Sequence, residues 1–123
     1  MMLHEFSAPS PKQASEILSM VPYRQRLKVG RMRWPSGFMP APVRSLHEVH
    51  ISLMIDEKST PAIHFPSLSV WVDKVVGDSE LARVIDTCAS DDDNSYADRC
   101  RELHEIIGMR LAQLREIADL SDF

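Results

Sequence analysis

The strongest periodic signal lies in "YADRCRELHEIIGMRLAQLREIADL", residues 96–120. Leu103, Ile106, Ile107, Met109, Leu111, Leu114 and Ile117 recur every three or four residues. That spacing predicts an amphipathic helix of about seven turns over 96–119. Gly108 interrupts it at a cost of about 1 kcal/mol relative to alanine, so it marks close packing or a bend. Three other stretches share the period. Over 10–21, Ser10 is a cap, Pro11 suits the first turn, and Ala14, Ile17, Leu18 and Val21 form the stripe before Pro22 ends it. Over 67–76, Ser67 is the expected cap, Leu68, Trp71, Val72, Val75 and Val76 the buried face, and Gly77 the left-handed terminator. A helix over 79–87 buries Leu81, Val84 and Ile85.

Period two appears twice. In "RQRLKVGRMRW", residues 24–34, Leu27 and Val29 alternate with Arg26 and Lys28, and after Gly30 the parity slips by one. A strand with a bulge at Gly30 puts Leu27, Val29, Met32 and Trp34 on a buried face and Arg24, Arg26, Lys28, Arg31 and Arg33 on the other. In "VRSLHEVHISLMIDE", His47, Val49, Ile51, Leu53 and Ile55 also alternate with more polar positions, and a strand over 44–56 is the favoured reading. The competing one is a helix, with Ser45 and Glu48 as capping box and Leu46, Val49, His50 and Leu53 on one face. Asp56 and Glu57 at its C-terminus speak against that helix. "PSGFMPAP" reads as a loop, "EKSTP" as a turn, and residues 62–65 as a short returning strand. The expected fold is α+β: a small antiparallel sheet of two or three strands packed against several helices, with more helix than strand.

Composition narrows the class. The 123 residues, 44% hydrophobic and 26% charged, suit one folded domain spanning 1–123. No apolar run reaches the roughly 20 residues that cross a bilayer, so no membrane partner is expected. The N-terminal stretch has no basic-then-apolar leader pattern and two cysteines make no disulfide framework, which points to the cytoplasm. The net charge of −4 is unevenly spread. Residues 1–44 hold seven Lys/Arg against two Glu, +5, and residues 45–123 hold seven against sixteen Asp/Glu, −9. The basic segment therefore either meets acidic parts of its own chain or offers a patch to an anion.

Candidate chemistry is sparse. "HEVH" places His47 and His50 on opposite faces of a strand or one face of a helix, two ligands at most where zinc needs three or four. Cys88, Cys100 and His104 lack a paired-cysteine knuckle, and the cysteines read as small buried hydrophobes. Asp91, Asp92 and Asp93 lack the spacing of a calcium loop; Asp93 or Ser95 is the expected cap of the last helix. Residues 67–87 are too acidic for a helix-turn-helix reader. With no phosphate loop, dinucleotide fingerprint or nucleophile elbow, no metal and no cofactor are expected. The leading expectation is a small cytoplasmic non-enzymatic interaction, regulatory or accessory protein that self-associates. Its motives are the wide stripe of the last helix and seven methionines. A binder of nucleic acid or another anion through Arg24, Arg26, Lys28, Arg31 and Arg33 is the alternative, and a small enzyme using His50, His64, Cys100 or His104 is the third.

Overall fold

Five helices and one three-stranded antiparallel sheet form the α+β fold that the hydrophobic pattern predicts, in a computed structural model describing residues 6–91 and 93–119. Helix α1, Pro11–Leu18, begins with a full capping box: Gln13 N–H donates to Ser10 Oγ and Ser10 N–H to Gln13 Oε1. Helix α3, Phe65–Trp71, starts two residues before the expected Ser67 and continues through a wider turn, Val72–Val76. Gly77, at φ +90, ends it, and the N–H groups of Gly77 and Asp78 both reach the Val72 carbonyl. Helix α4, Ser79–Ala89, is capped by the Asp78 carboxylate, which accepts from Leu81 N–H. Helix α5, Tyr96–Asp119, is the axis against which α1, α4 and a short helix over 46–52 pack. Its residues Leu103, Ile106, Ile107, Leu111 and Leu114 are buried in one contiguous apolar cluster. Apart from the exposed Met109, the stripe is thus covered from within the chain.

The sheet runs β2–β1–β3, with β1 Gly30–Arg33, β2 Gly37–Pro40 and β3 Ser59–Ala62. The expected bulge at Gly30 is absent. Leu27 pairs with Val43, Gly30 with Pro40 and Arg33 with Gly37, so both chains advance in step along that stretch. The parity of Leu27 and Val29 therefore passes to Arg31, while Met32 and Trp34 share the outward parity of Lys28. Gly30 has a different reason: a Cβ there would lie 2.5 Å from the Phe38 ring and 2.4 Å from the Met39 carbonyl oxygen. The aromatic ring covers the bare backbone. Strand β2 lies in the stretch read as a loop, and β3 precedes the expected 62–65.

The strand expected over 44–56 is a helix, α2, Leu46–Ser52. Its buried set is Leu46, Val49 and Leu53, and Ile51, which the strand reading buried, is exposed. Ser45 Oγ accepts from Glu48 N–H, while Glu48 Oε1 accepts from Arg44 N–H, one residue short of a strict capping box. The objection from Asp56 and Glu57 is met by distance and by Arg31. The helix stops at Ser52, and Arg31 donates to the carbonyls of Ser52 (2.8 Å) and Met54 (2.5 Å), supplying the cation a helix C-terminus favours. Asp56 lies beyond, accepting from Lys58 and Ser59 N–H as a turn.

One polar pair sits inside the helices. Arg110 and Asp78 have side chains 3% and 2% exposed, joined by Nε to Oδ2 at 2.8 Å and Nη2 to Oδ1 at 3.1 Å. Arg110 Nη1 donates to Gln113 Oε1 and to the Ser7 carbonyl, and Gln113 Nε2 to the Phe6 carbonyl. Arg110→Met leaves Asp78 buried without its counter-charge and is expected to lower the unfolding free energy by about 3–5 kcal/mol. Urea denaturation measures this, and a loss under about 1 kcal/mol would show the pair is not needed to hold Asp78.

Candidate functional site

The five cations of 24–34 do not form one face. Arg31 is half-buried and turned toward α2, where it also donates Nε to Ser59 Oγ at 2.9 Å. Arg26 folds back on its own turn, donating Nη1 to the Tyr23 carbonyl with its guanidinium 4.0 Å above the Tyr23 ring. Arg24, Lys28 and Arg33 are exposed, and Arg33 has the parity of Arg31 rather than of Lys28. Arg31, with Pro42, Val43, Ile51, Met54 and neighbours, lines a groove of about 490 Å³ between the sheet and α2.

The sheet's other face carries Met32 and Trp34, which the sequence placed in the core, together with Phe38 from the expected loop. Trp34 is 85% exposed, Phe38 56% and Met32 50%. Met32 lies opposite Phe38 on β2 and Thr60 on β3, so these share a face, and Trp34 joins them two residues on. Trp34 N–H bonds to the Lys58 carbonyl, which extends the ladder and brings Lys58 alongside. The recess beside Trp34 is lined by Arg33 and Lys58 and also by Asp56 and Glu57. Trp71, the second tryptophan, is buried as its helical position predicts and donates Nε1–H to the Gln25 carbonyl at 2.7 Å.

Both edges of the sheet are poor templates for another strand. On β2, the residues that bond to β1 are Gly37, Met39, Ala41 and Val43, so Phe38, Pro40 and Pro42 direct their backbone outward. Pro40 and Pro42 have no N–H to offer. On β3, Ser59 and Pro61 point outward, and their groups are occupied. Asp56 Oδ1 takes Ser59 N–H, and Asp56 N–H donates to the Ser59 carbonyl. Tyr96 Oη donates to the Pro61 carbonyl at 2.7 Å and accepts from Ile63 N–H at 3.0 Å.

Of the candidate acid, base and nucleophile groups, the fold brings together His50 and His104. Their rings stack with centroids 4.0 Å apart and planes 4° from parallel. His104 Nδ1 donates to the His50 carbonyl at 2.8 Å, a bond that fixes the proton on Nδ1 because a carbonyl only accepts. His47 Nδ1 accepts from Arg115 Nη2 at 2.9 Å. Lone pairs of stacked rings run in parallel planes and do not converge on an ion, and among the described residues no three His, Cys, Asp or Glu groups could hold a metal. His64 lies apart, paired with Ser67 Oγ. Ser95 Oγ caps α5 by accepting from Asp98 N–H; Asp91 accepts from Asp93 N–H, and Asp92 falls outside the described residues.

Both cysteines are buried free thiols. Burial, followed by the Glu102 carboxylate that accepts from its Sγ, pushes the Cys88 thiol up to about 12. Burial likewise raises Cys100, against a lowering hydrogen bond with Tyr96. Neither is poised as a thiolate. No family model, curated protein or solved structure matches the chain.

The folded protein at pH 8 is expected to resist alkylation by iodoacetamide at Cys88 and Cys100, with both modified once denaturant is added. Labelling read by peptide mass spectrometry checks this, and fast modification of either in the native protein would contradict the burial described.

Proposed function

We propose that this chain is a small cytoplasmic, non-enzymatic interaction protein of regulatory or accessory kind that pairs with a second copy of itself through the outer face of its sheet. The observation that carries the reading is the row Met32, Phe38 and Trp34, three large apolar side chains at least half exposed on one face. The five described methionines, Met20, Met32, Met39, Met54 and Met109, are all exposed as well, and thioether side chains suit adaptable contacts. Because prolines interrupt one edge and Asp56 and Tyr96 occupy the other, association by strand addition is disfavoured and the face is the better surface. Its occupant follows from charge. Lys58 stands beside Asp56 and Glu57 at the rim, so a two-fold axis can set the lysine of one copy against the carboxylates of the other.

A second reading rests on the same tryptophan. The exposed Trp34 and Tyr23 flank Arg24 and Lys28, an aromatic-and-cation pairing that suits stacked bases and phosphates. Asp56 and Glu57 oppose a polyanion there, which ranks it below self-pairing.

Sedimentation velocity from low micromolar to near-millimolar concentration separates the two. The expected result is a reversible monomer–dimer shift that Trp34→Ser abolishes without changing stability, since the side chain lies outside the core. A strict monomer at the highest concentration overturns the proposal. Titration of Trp34 fluorescence with a short oligothymidylate is expected to be flat; quenching that fades steeply with added salt would favour the polyanion reading instead.

A further inference from the structure

Helix α2 meets α5 through a polar seam as well as an apolar one. Leu46, Val49 and Leu53 make the apolar contact, and the seam is built of His47, His50, His104 and Arg115. Gly108 makes it possible. A Cβ there would stand 2.9 Å from His50 Nε2, so the bare backbone of α5 is the notch in which the His50 ring lies. Stacked flat on His104, the ring has an aromatic neighbour on one face and main chain at its tip.

We propose that the His50–His104 stack is an acid-sensitive latch between α2 and α5, closed while His50 is neutral and released when His50 takes up a proton from solvent.

His104 already presents Nδ1–H to the His50 carbonyl, so a proton added at its Nε2 leaves that bond intact and turns it into a charge-assisted one. A second proton, on His50, sets two imidazolium rings face to face at 4.0 Å. The groups that bear on His50 are His47 on its own helix and His104 and Arg115 on α5, and each of them is a cation or becomes one on protonation. Burial and these neighbours hold His50 below its usual 6.5, burial being the larger cause. The sign follows. The unfolded chain binds the proton more readily, so the contact is fully stabilising above about pH 6.5 and weakens as pH falls below it.

Release is transmitted to the sheet. The carbonyls of Ser52 and Met54 at the end of α2 hold Arg31 of β1, so a freed α2 loosens the attachment of β1 to the helices. The device is independent of what the sheet face binds.

Amide exchange in the full chain tests the latch, with protection factors that divide out the intrinsic pH dependence of exchange. Between about pH 7.5 and about pH 5, protection of the α2 amides Val49–Leu53 is expected to fall at least about threefold while α3 and α4 keep theirs. In His50→Gln, α2 protection is expected to be the same at both values. Equal α2 protection at both values in the unmodified protein, a loss shared evenly by all helices, or an unchanged acid loss in His50→Gln overturns the proposal. Should His50→Gln fold poorly, the NMR titration of His50 in the unmodified protein decides: a midpoint below 6.5 supports the latch, and one at or above 6.5 overturns it.

Discussion

The Asp78–Arg110 pair is the constraint from which the helical arrangement follows. Two opposite charges at this depth lose their water, and only close geometry compensates that loss. Here the fork of Arg110 meets both carboxylate oxygens, and Asp78 in turn caps α4 through Leu81 N–H. A bidentate pair has one satisfactory geometry, so it fixes how α5 is rotated and how far it slides past the start of α4. The remaining guanidinium donors reach Ser7 and Gln113, and the guanidinium lies 4.9 Å over the Phe6 ring. One charged residue thus gathers the segment before α1, the turn after α3, the cap of α4 and the middle of α5. The apolar cluster supplies most of the driving force for folding, but it would tolerate small rotations of α5 that this pair does not.

The sheet depends on the helices in a different way. Leu27, Val29, Val43 and Ile63 carry its inner parity into the apolar cluster, but along the strands themselves that parity falls to Arg31 and Pro61, where the attachment is polar. Arg31 ties β1 to the end of α2, and Tyr96, at the first turn of α5, ties β3 through Pro61 and Ile63. Burial is also the first cause that raises the Tyr96 hydroxyl to about 12, which keeps its proton available for the Pro61 carbonyl. The far end of the sheet, toward Arg33 and Trp34, therefore relies on these directed bonds more than on apolar packing.

Four of the five helices, α1, α3, α4 and α5, were legible in the sequence because each carries its own evidence. In α1 the capping box and stripe are local, in α5 the stripe is long, and at Gly77 one residue type answers one backbone conformation. The sheet was less legible because its determinants are distant in sequence. Alternation in 24–34 looked like a parity slip because Arg31 was assigned outward by its charge. What places it inward is a set of carbonyls some twenty residues later, which nothing local reveals. Segment 44–56 has real alternation, yet it is too short for pattern alone to decide, and Arg31 again supplied what the helix lacked at its end. The exposure of Trp34 follows from the same unbroken register, since one step of parity turns every later side chain to the other face. The sequence leaves Gly108 as either close packing or a bend, and its partner, His50, is identified only once α2 is a helix.

That notch joins two positions fifty-eight residues apart into one steric unit. An alanine at 108 would strengthen α5 as an isolated helix and crowd the imidazole at 50 in the folded chain. A smaller side chain at 50 would admit the alanine but leave the His104 ring without its neighbour. Substitution at either position is therefore conditional on the other, and descendants of this chain are expected to change 50 and 108 in tandem or to keep both.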